Sequence, residues 1–334
     1  GEWIESHCLH IFFLHGPDFY DLPDAWSSKT YLELLKKGIG LKKTGNKLIQ
    51  IIGGRSVHPV SVRVGGFFRV PKKEVLMALL SEMERAFEES LEIIKWTASL
   101  DIDKEEKDHE FICLGGTGEY PMNYGFVVSS SGIKTDMEGF LNLITEFQRP
   151  YCNALFSGLK EGESCRPYLV GPLARLNLNH NHLPETIRSV IKESGITLPL
   201  KGLQSSIIAR AIEVSFAFYE AMRLIIEYEP PDKPYTEYEP LSGKALWITE
   251  APRGMLIHFY EVDEQGLIKE ARLIPPTSQN LFHMERELEE LVKGAQDNTS
   301  ERLKKLAERL IRSYDPCISC SVHIVKSDKI IYGL

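Results

Sequence analysis

The sequence predicts a mainly α protein with small β parts, an α+β chain built on a core of long helices. Three patterns carry that expectation. Apolar residues at Val75, Leu76, Leu79, Leu80, Met83, Phe87, Leu91 and Ile94 recur at helical spacing, with Glu82, Glu84, Glu88 and Glu89 on the opposite face. A second such stripe (Ile207, Ile208, Ala211, Val214, Phe218, Met222, Ile225) runs within Gln204 to Tyr228 and stops at Pro230-Pro231. Two alternating runs, Met255 to Val262 and Leu267 to Ile274, flank the turn Asp263-Glu264-Gln265-Gly266 and predict a β-hairpin.

The remaining elements follow in order. Residues 3 to 15 place Trp3, Ile4, Leu9, Phe12 and Phe13 close to helical spacing, so a helix is under way at the start and ends at Pro17. Gly53-Gly54 and Gly65-Gly66 bracket a segment around His58 and Pro59 that predicts irregular structure. Phe111 to Leu114 and Phe126 to Ser129 predict a small sheet between helices, and Pro230 to Pro240 has the composition of a linker. A last helix starts at Thr299 or Ser300 as N-cap, runs through Leu303, Leu306, Leu310 and Ile311, and stops at Asp315-Pro316. The expected organisation is one large domain with a peripheral β part.

Composition excludes several classes of function. Of 334 residues, 39 are Lys or Arg and 47 Asp or Glu, a net charge of −8, and no basic run exceeds a lysine pair, which argues against nucleic acid as a partner. With 43% hydrophobic residues against 26% charged, the chain has the apolar content of a packed protein. No uncharged apolar run approaches the roughly 18 residues of a membrane span. The start shows no secretory pattern, and six cysteines at 8, 113, 152, 165, 317 and 320 are too scattered for a disulfide scaffold. The expected location is the cytoplasm.

The sharpest candidate for chemistry is DPCISCSVH, residues 315 to 323, with two thiols and an imidazole in a loop after a helix. Thiolates select nickel, zinc, copper(I) or iron-sulfur units over magnesium or calcium. A zinc knuckle needs a second Cys-x-x-Cys, a redox pair should open a helix, and haem attachment needs His directly after the second Cys. The pair therefore reads as half of a metal site, against two incidental buried cysteines. Ala251-Pro252-Arg253-Gly254 suits a guanidinium held rigidly over a small site, or is an ordinary surface turn. Asp18, in Gly16-Pro17-Asp18, reads alone as a turn or capping residue. His7 and His10 have a spacing open to a metal but more common among packed core residues.

Five segments in order, SHCLHIFFLHGPDF, GGRSVHPVSVRVGGFFRVP, RPYLVGPLARLNL, EAPRGMLIHFYEVDEQGLI and the terminal DPCISCSVH, together resemble the large (alpha) subunit of a nickel-iron hydrogenase, in its cytoplasmic, cofactor-coupled branch. The resemblance spans essentially the whole chain and implies the long-helix core of those subunits, with residues 1–323 as one large-subunit domain, N-terminally incomplete, and 324–334 as a C-terminal maturation peptide. It implies reversible heterolytic cleavage of H2 at a nickel-iron centre carrying CO and CN ligands. By motif position, Cys317 is a terminal nickel ligand, Cys320 a bridging one, and Arg253 stands beside the open coordination site with Asp18 and Asp315 as carboxylate neighbours. Pro252 and Thr277 fall where family members contact the cyanides. His323 falls where a C-terminal histidine ligates a magnesium or orders the loop. The implied partners are an iron-sulfur small subunit, a maturation endopeptidase and nickel-insertion factors. The family's first Cys-x-x-Cys precedes the opening helix and is not in this sequence. A missing segment, a separate chain or loss of the metal would each account for that. The alternative is a non-catalytic, hydrogenase-derived scaffold subunit of an electron-transfer complex.

Overall fold

In the computed structural model, which describes residues 1–102, 107–294 and 300–316, the chain starts directly in helix α1 (Glu2–Leu9). From His10 to His15 the helix widens to π geometry, with the Gly16 N–H bonding back to Ile11 O, and a 3-10 turn follows over Gly16–Tyr20. The expected stop at Pro17 is thus a tightening of the helix rather than its end. Helix α2 (Lys29–Gly53), 25 residues capped by the Ser28 side chain, lies against α1. It leaves little trace in the sequence, because Gly38, Gly40, Gly45 and the lysine pairs beside them interrupt its apolar stripe. Those glycines explain the packing. A Cβ on Gly38 would stand 2.3 Å from the Phe12 ring, so only a bare backbone lets the π segment approach this closely.

The stripe from Val75 to Ile94 is divided into α3 (Lys73–Met77) and α4 (Leu80–Ala98) by a turn at Ala78–Leu79. Helix α4 packs against the central helix α8 (Ser206–Glu227), which is buried all round from Ser206 to Phe218. Between them come α5 (Met137–Leu143), α6 (Pro172–Asn179) and α7 (Glu185–Glu193); after α8 come α9 (Pro276–Gly294) and α10 (Ser300–Ser313). Trp3, Ile4, Phe12, Leu35, Met83, Ile94, Ile207 and Phe218 belong to one continuous apolar core joining these helices. Among the described residues, no helix is long and apolar enough to cross a membrane.

The β structure is four small antiparallel sheets among the described residues. The GGRSVHP segment, expected to be irregular, leads into the short hairpin β1 (Val62–Arg63) and β2 (Gly66–Phe67). The stretch Pro230 to Pro240 is not a free linker: Phe67 N–H donates to Pro234 O, Thr236 N–H to Gly65 O, and the Arg63 guanidinium lies 3.7 Å from the Tyr235 ring centre. β3 (Ile112–Gly115), β4 (Phe126–Ser129) and β5 (Lys134–Thr135) form the sheet expected between helices. β6 (Ile144–Gln148), β7 (Leu155–Glu161) and β8 (Ser164–Arg166) form another.

The expected hairpin is β10 (Gly254–Val262) with β11 (Ile268–Ile274), and β9 (Gly243–Ala251) adds a third strand on the other side of β10. β9 and β10 pair from Ala251↔Gly254 onward, so Pro252 and Arg253 are the two residues of the turn at the sheet's end. Ile257 pairs with Ile274, so β11 finishes at that same end, where α9 begins at Pro276. Ile248, Met255, Ile257 and Ile274 join Ile112, Phe140 and Leu159 in a second core beneath the sheets. The close Gly38–Phe12 contact gives a direct test. Gly38→Ala should lower stability by about 1–3 kcal/mol through overpacking, seen as a lower denaturant midpoint at unchanged slope.

Candidate functional site

The Pro252–Arg253 turn is held from one side by the segment that opens α6 and from the other by Asp315, and a single arginine organises the surroundings. Arg175, on α6, is fully buried and uses all five of its N–H donors. Nε and Nη2 donate to the two oxygens of Glu213 on α8, each at 2.7 Å. Nη1 donates to Glu250 Oε2 and to Ala251 O, and Nη2 to Pro252 O, all at 2.8 Å. The Trp3 ring closes the face of the guanidinium at 4.4 Å, while its Nε1 donates to Glu250 O. Tyr120 Oη donates to Glu213 at 2.7 Å, and His7 Nε2 sits 2.9 Å from the other Glu213 oxygen. Burial acts to raise the Glu213 carboxyl, but the charge and bonds of Arg175, helped by His7, overcome it and hold the group down to about 2. Glu250 has a weaker share of that charge, and burial moves it above the usual range.

Arg175 thus fixes two carbonyls of the turn from behind. Its own segment approaches because Gly171, at φ 115°, carries no side chain: a Cβ there would meet Arg253 O at 2.7 Å. On the other side, Arg253 Nε donates to Asp315 O at 2.5 Å and Nη2 to Asp315 Oδ1 at 3.2 Å. Asp315 is buried, and burial raises its carboxyl against the pull of Arg210 and Arg253. Arg210, on α8, is buried too and donates to Ser206 O and Ser313 O. Burial lowers the Arg210 guanidinium to about 10. The first turn of α9 is tied to the sheet by Gln279, whose Nε2 donates to Met255 O and Ile274 O. This tie holds Thr277 at the end of the sheet that carries the turn.

Asp18 is paired with Arg312 and His15. It accepts from Arg312 Nε at 2.8 Å and Nη2 at 2.6 Å, and its Oδ2 is 3.1 Å from His15 Nδ1. It therefore anchors the end of α10, three residues before Asp315. His7 and His10 are packed core residues: His7 bonds Glu213, and His10 Nε2 bonds Arg312 O at 2.6 Å. Cys317, Cys320 and His323, together with the 324–334 peptide, lie outside the described residues. Sequence reasoning missed Arg175, Arg210, Glu213 and Glu250. Their signal was a charge inside an apolar surround, as in Ala209-Arg210-Ala211-Ile212-Glu213-Val214.

Thr277 Oγ1, in the first turn of α9, and Asp315 Oδ2, beside Arg253, are buried atoms with no hydrogen-bond partner among the described residues, so each has bonding capacity left for a further group. The thiolates are a different matter. Cys8 and Cys113 are sealed in the core, where burial pushes both thiols up, away from thiolate formation. Among the described residues, the cluster with metal-ligand spacing is His109, His283 and Glu287, all buried.

A helical core thus carries a small sheet whose Pro-Arg turn is pinned against Asp315 at the end of the described chain. The family model for nickel-dependent hydrogenase matches residues 164–323. The chain is 31% identical to the alpha subunit of sulfhydrogenase 1 of Pyrococcus furiosus over 98% of its own length and 76% of the relative's. It is 32% identical to the alpha subunit of sulfhydrogenase 2 of the same organism, at the same coverage. The fold matches that of an NAD+-reducing [NiFe]-hydrogenase at a TM-score of 0.79 and 23% identity, covering 96% of this chain and 77% of that one. It also matches the [NiFeSe] hydrogenase of Desulfovibrio vulgaris Hildenborough at 0.71 and 20%, over 96% and 79%. The protein belongs to the nickel-dependent hydrogenase large-subunit family.

Two measurements check the electrostatics. Arg175→Met leaves Glu213 and Glu250 buried without their cation and should destabilise the fold by about 3–5 kcal/mol in denaturant titrations. His7 is lowered from 6.5 to about 4 by burial, against the Glu213 bond. Its folded value lies below its unfolded one, so its contribution is complete above pH 6.5 and is lost as the pH falls toward 4. The urea midpoint should drop across that window by the equivalent of about 3 kcal/mol from His7 alone. His7→Gln should make the slope shallower.

Proposed function

We propose that this chain acts as a hydrogenase-derived large subunit within an electron-transfer complex, serving as a non-catalytic scaffold. The observation that carries this is the disposition of the cysteines. Cys8 and Cys113 are locked in the core as thiols, and among the described residues none of Cys8, Cys113, Cys152 and Cys165 joins a metal-ligating cluster. Cys317 and Cys320 lie outside the described residues, so no set of thiol ligands for a nickel-iron centre is assembled among the described ones. The relatives are themselves named as subunits, which supports a multi-subunit assembly; an iron-sulfur partner that carries the electrons is part of the proposal.

A second reading is favoured by the orphaned Thr277 hydroxyl and Asp315 oxygen and by the reach of Arg253. Completed by two further thiolates from another segment or chain, the site would be that of an oxidoreductase acting on hydrogen as donor. Cys317 and Cys320 would hold the metals, with His323 ordering the C-terminal loop or ligating magnesium. Nickel and iron would supply the Lewis acidity that polarises dihydrogen. Arg253, one-quarter exposed and held by Asp315, would orient toward the open position and hold a proton near it. Pro252 and Thr277 would face the cyanides, the Thr277 hydroxyl donating to one of them.

Metal quantification with infrared spectroscopy in the carbonyl and cyanide region separates the two. The scaffold reading expects less than stoichiometric nickel and no such bands in the purified chain, and stoichiometric nickel and iron with those bands would overturn it. In an assembly that does turn over hydrogen, Arg253→Lys keeps the charge but loses the planar fork. It should reduce turnover by orders of magnitude at unchanged metal content.

A further inference from the structure

Away from the Pro252–Arg253 turn, three ligand atoms meet in the core between α9 and the segment that leads into β3. His283 and Glu287 are four residues apart on α9 and share a face of the helix. His109 comes from the chain just before β3. His109 Nδ1 lies 3.0 Å from His283 Nε2, and Glu287 Oε1 lies 4.0 Å from each. A point equidistant from the three atoms is about 2.2 Å from each of them, the length of a zinc–nitrogen or zinc–oxygen bond.

We propose that His109, His283 and Glu287 form a binding site for a divalent transition-metal ion of the zinc class, distinct from the cysteine-based centre. Two imidazoles and one carboxylate are a borderline donor set that favours zinc, cobalt or nickel over magnesium and calcium. Three protein ligands leave one position of a tetrahedron open, which water fills. One of the two imidazoles has the second contact usual for a metal-bound histidine: His283 Nδ1 is 2.7 Å from Tyr314 Oη, which fixes the ring and its tautomer, while His109 Nε2 is buried without a partner among the described residues. Lys107 Nζ bonds the same Glu287 oxygen at 2.6 Å and also bonds Glu290. Two carboxylates against one ammonium leave a net negative charge for the cation to neutralise, and the ion displaces Lys107 from Glu287 onto Glu290. Tyr314 is the residue before Asp315. Occupancy therefore ties α9, the β3 segment and the end of α10 together one residue before Asp315, which Arg253 holds.

This site is independent of the function proposed above, and its test keeps the two apart. The full chain carrying Cys317→Ser and Cys320→Ser is titrated with cobalt(II) and with zinc in competition with a chromophoric chelator. The expected result is one equivalent bound, with visible cobalt d–d bands and no thiolate-to-cobalt charge transfer, and a thermal midpoint raised by zinc. Glu287→Gln and His283→Gln should each weaken zinc binding at least about 100-fold, and Tyr314→Phe about 10- to 100-fold. Glu287→Gln is a near-isosteric change that keeps the fold testable should the histidine variant not fold. Absence of cobalt and zinc binding in the folded cysteine variant, or affinity unchanged in Glu287→Gln, overturns the proposal.

Discussion

The guanidinium of Arg175 is the constraint on which the rest of the molecule depends. A buried arginine remains charged, so everything around it must supply acceptors, and here it takes them from α8, from β9 and from the turn that follows β9. Those are the parts of the chain that come from different layers of the fold. The helical core and the sheet-bearing core are separate apolar clusters, and apolar packing alone would permit them to slide against each other. Fixed bond directions from one planar group remove that freedom. Hydrophobic burial makes the chain collapse, whereas Arg175 decides where the Pro252–Arg253 turn ends up.

The same logic runs to the far end of the described chain. Asp18 holds Arg312 with two bonds, His10 Nε2 donates to the Arg312 carbonyl, Ser206 and Arg210 donate to Ser313 O, and Arg253 donates to Asp315. Each of these contacts joins residues far apart in sequence. The last described turn of the chain is thus held by polar bonds from three directions, in addition to the burial of Tyr314 in the helical core. A loop that must present reactive side chains gains from such anchoring, because polar bonds set orientation as well as distance.

What the sequence disclosed follows from which forces leave a periodic trace. Helix α8, the Met255–Ile274 hairpin and the small sheet from Phe111 were legible because burial on one face repeats at the period of the element. Helix α2 was not, because its packing face includes Gly38 and Gly45, which contribute no hydrophobic signal and act by letting Phe12 and Ile4 approach. Helix α9 escaped because its buried face is largely polar: Gln279, Asn280, His283 and Glu287. The motifs DPCISCSVH and APRG were visible as residue types, but the partner of each side chain was not. Asp18 and Asp315 looked equivalent as neighbours of Arg253, yet Arg312 takes Asp18 and leaves Arg253 to Asp315. Pairing among several arginines and aspartates is settled by helix geometry, which no local pattern encodes.

The π segment from His10 to His15 sets the phase of everything that precedes it. It spends one more residue on its turn than an α-helix would, so removing a single residue there would restore regular geometry while rotating α1 by about 100° about its axis. His7 would then leave Glu213, Trp3 would leave the face of Arg175, and Ile4 would turn away from Gly45. The length of this short stretch is consequently as binding as its composition. Substitutions that keep the count can be absorbed locally, but a change of one in the count would propagate to the arginine at the centre of the fold.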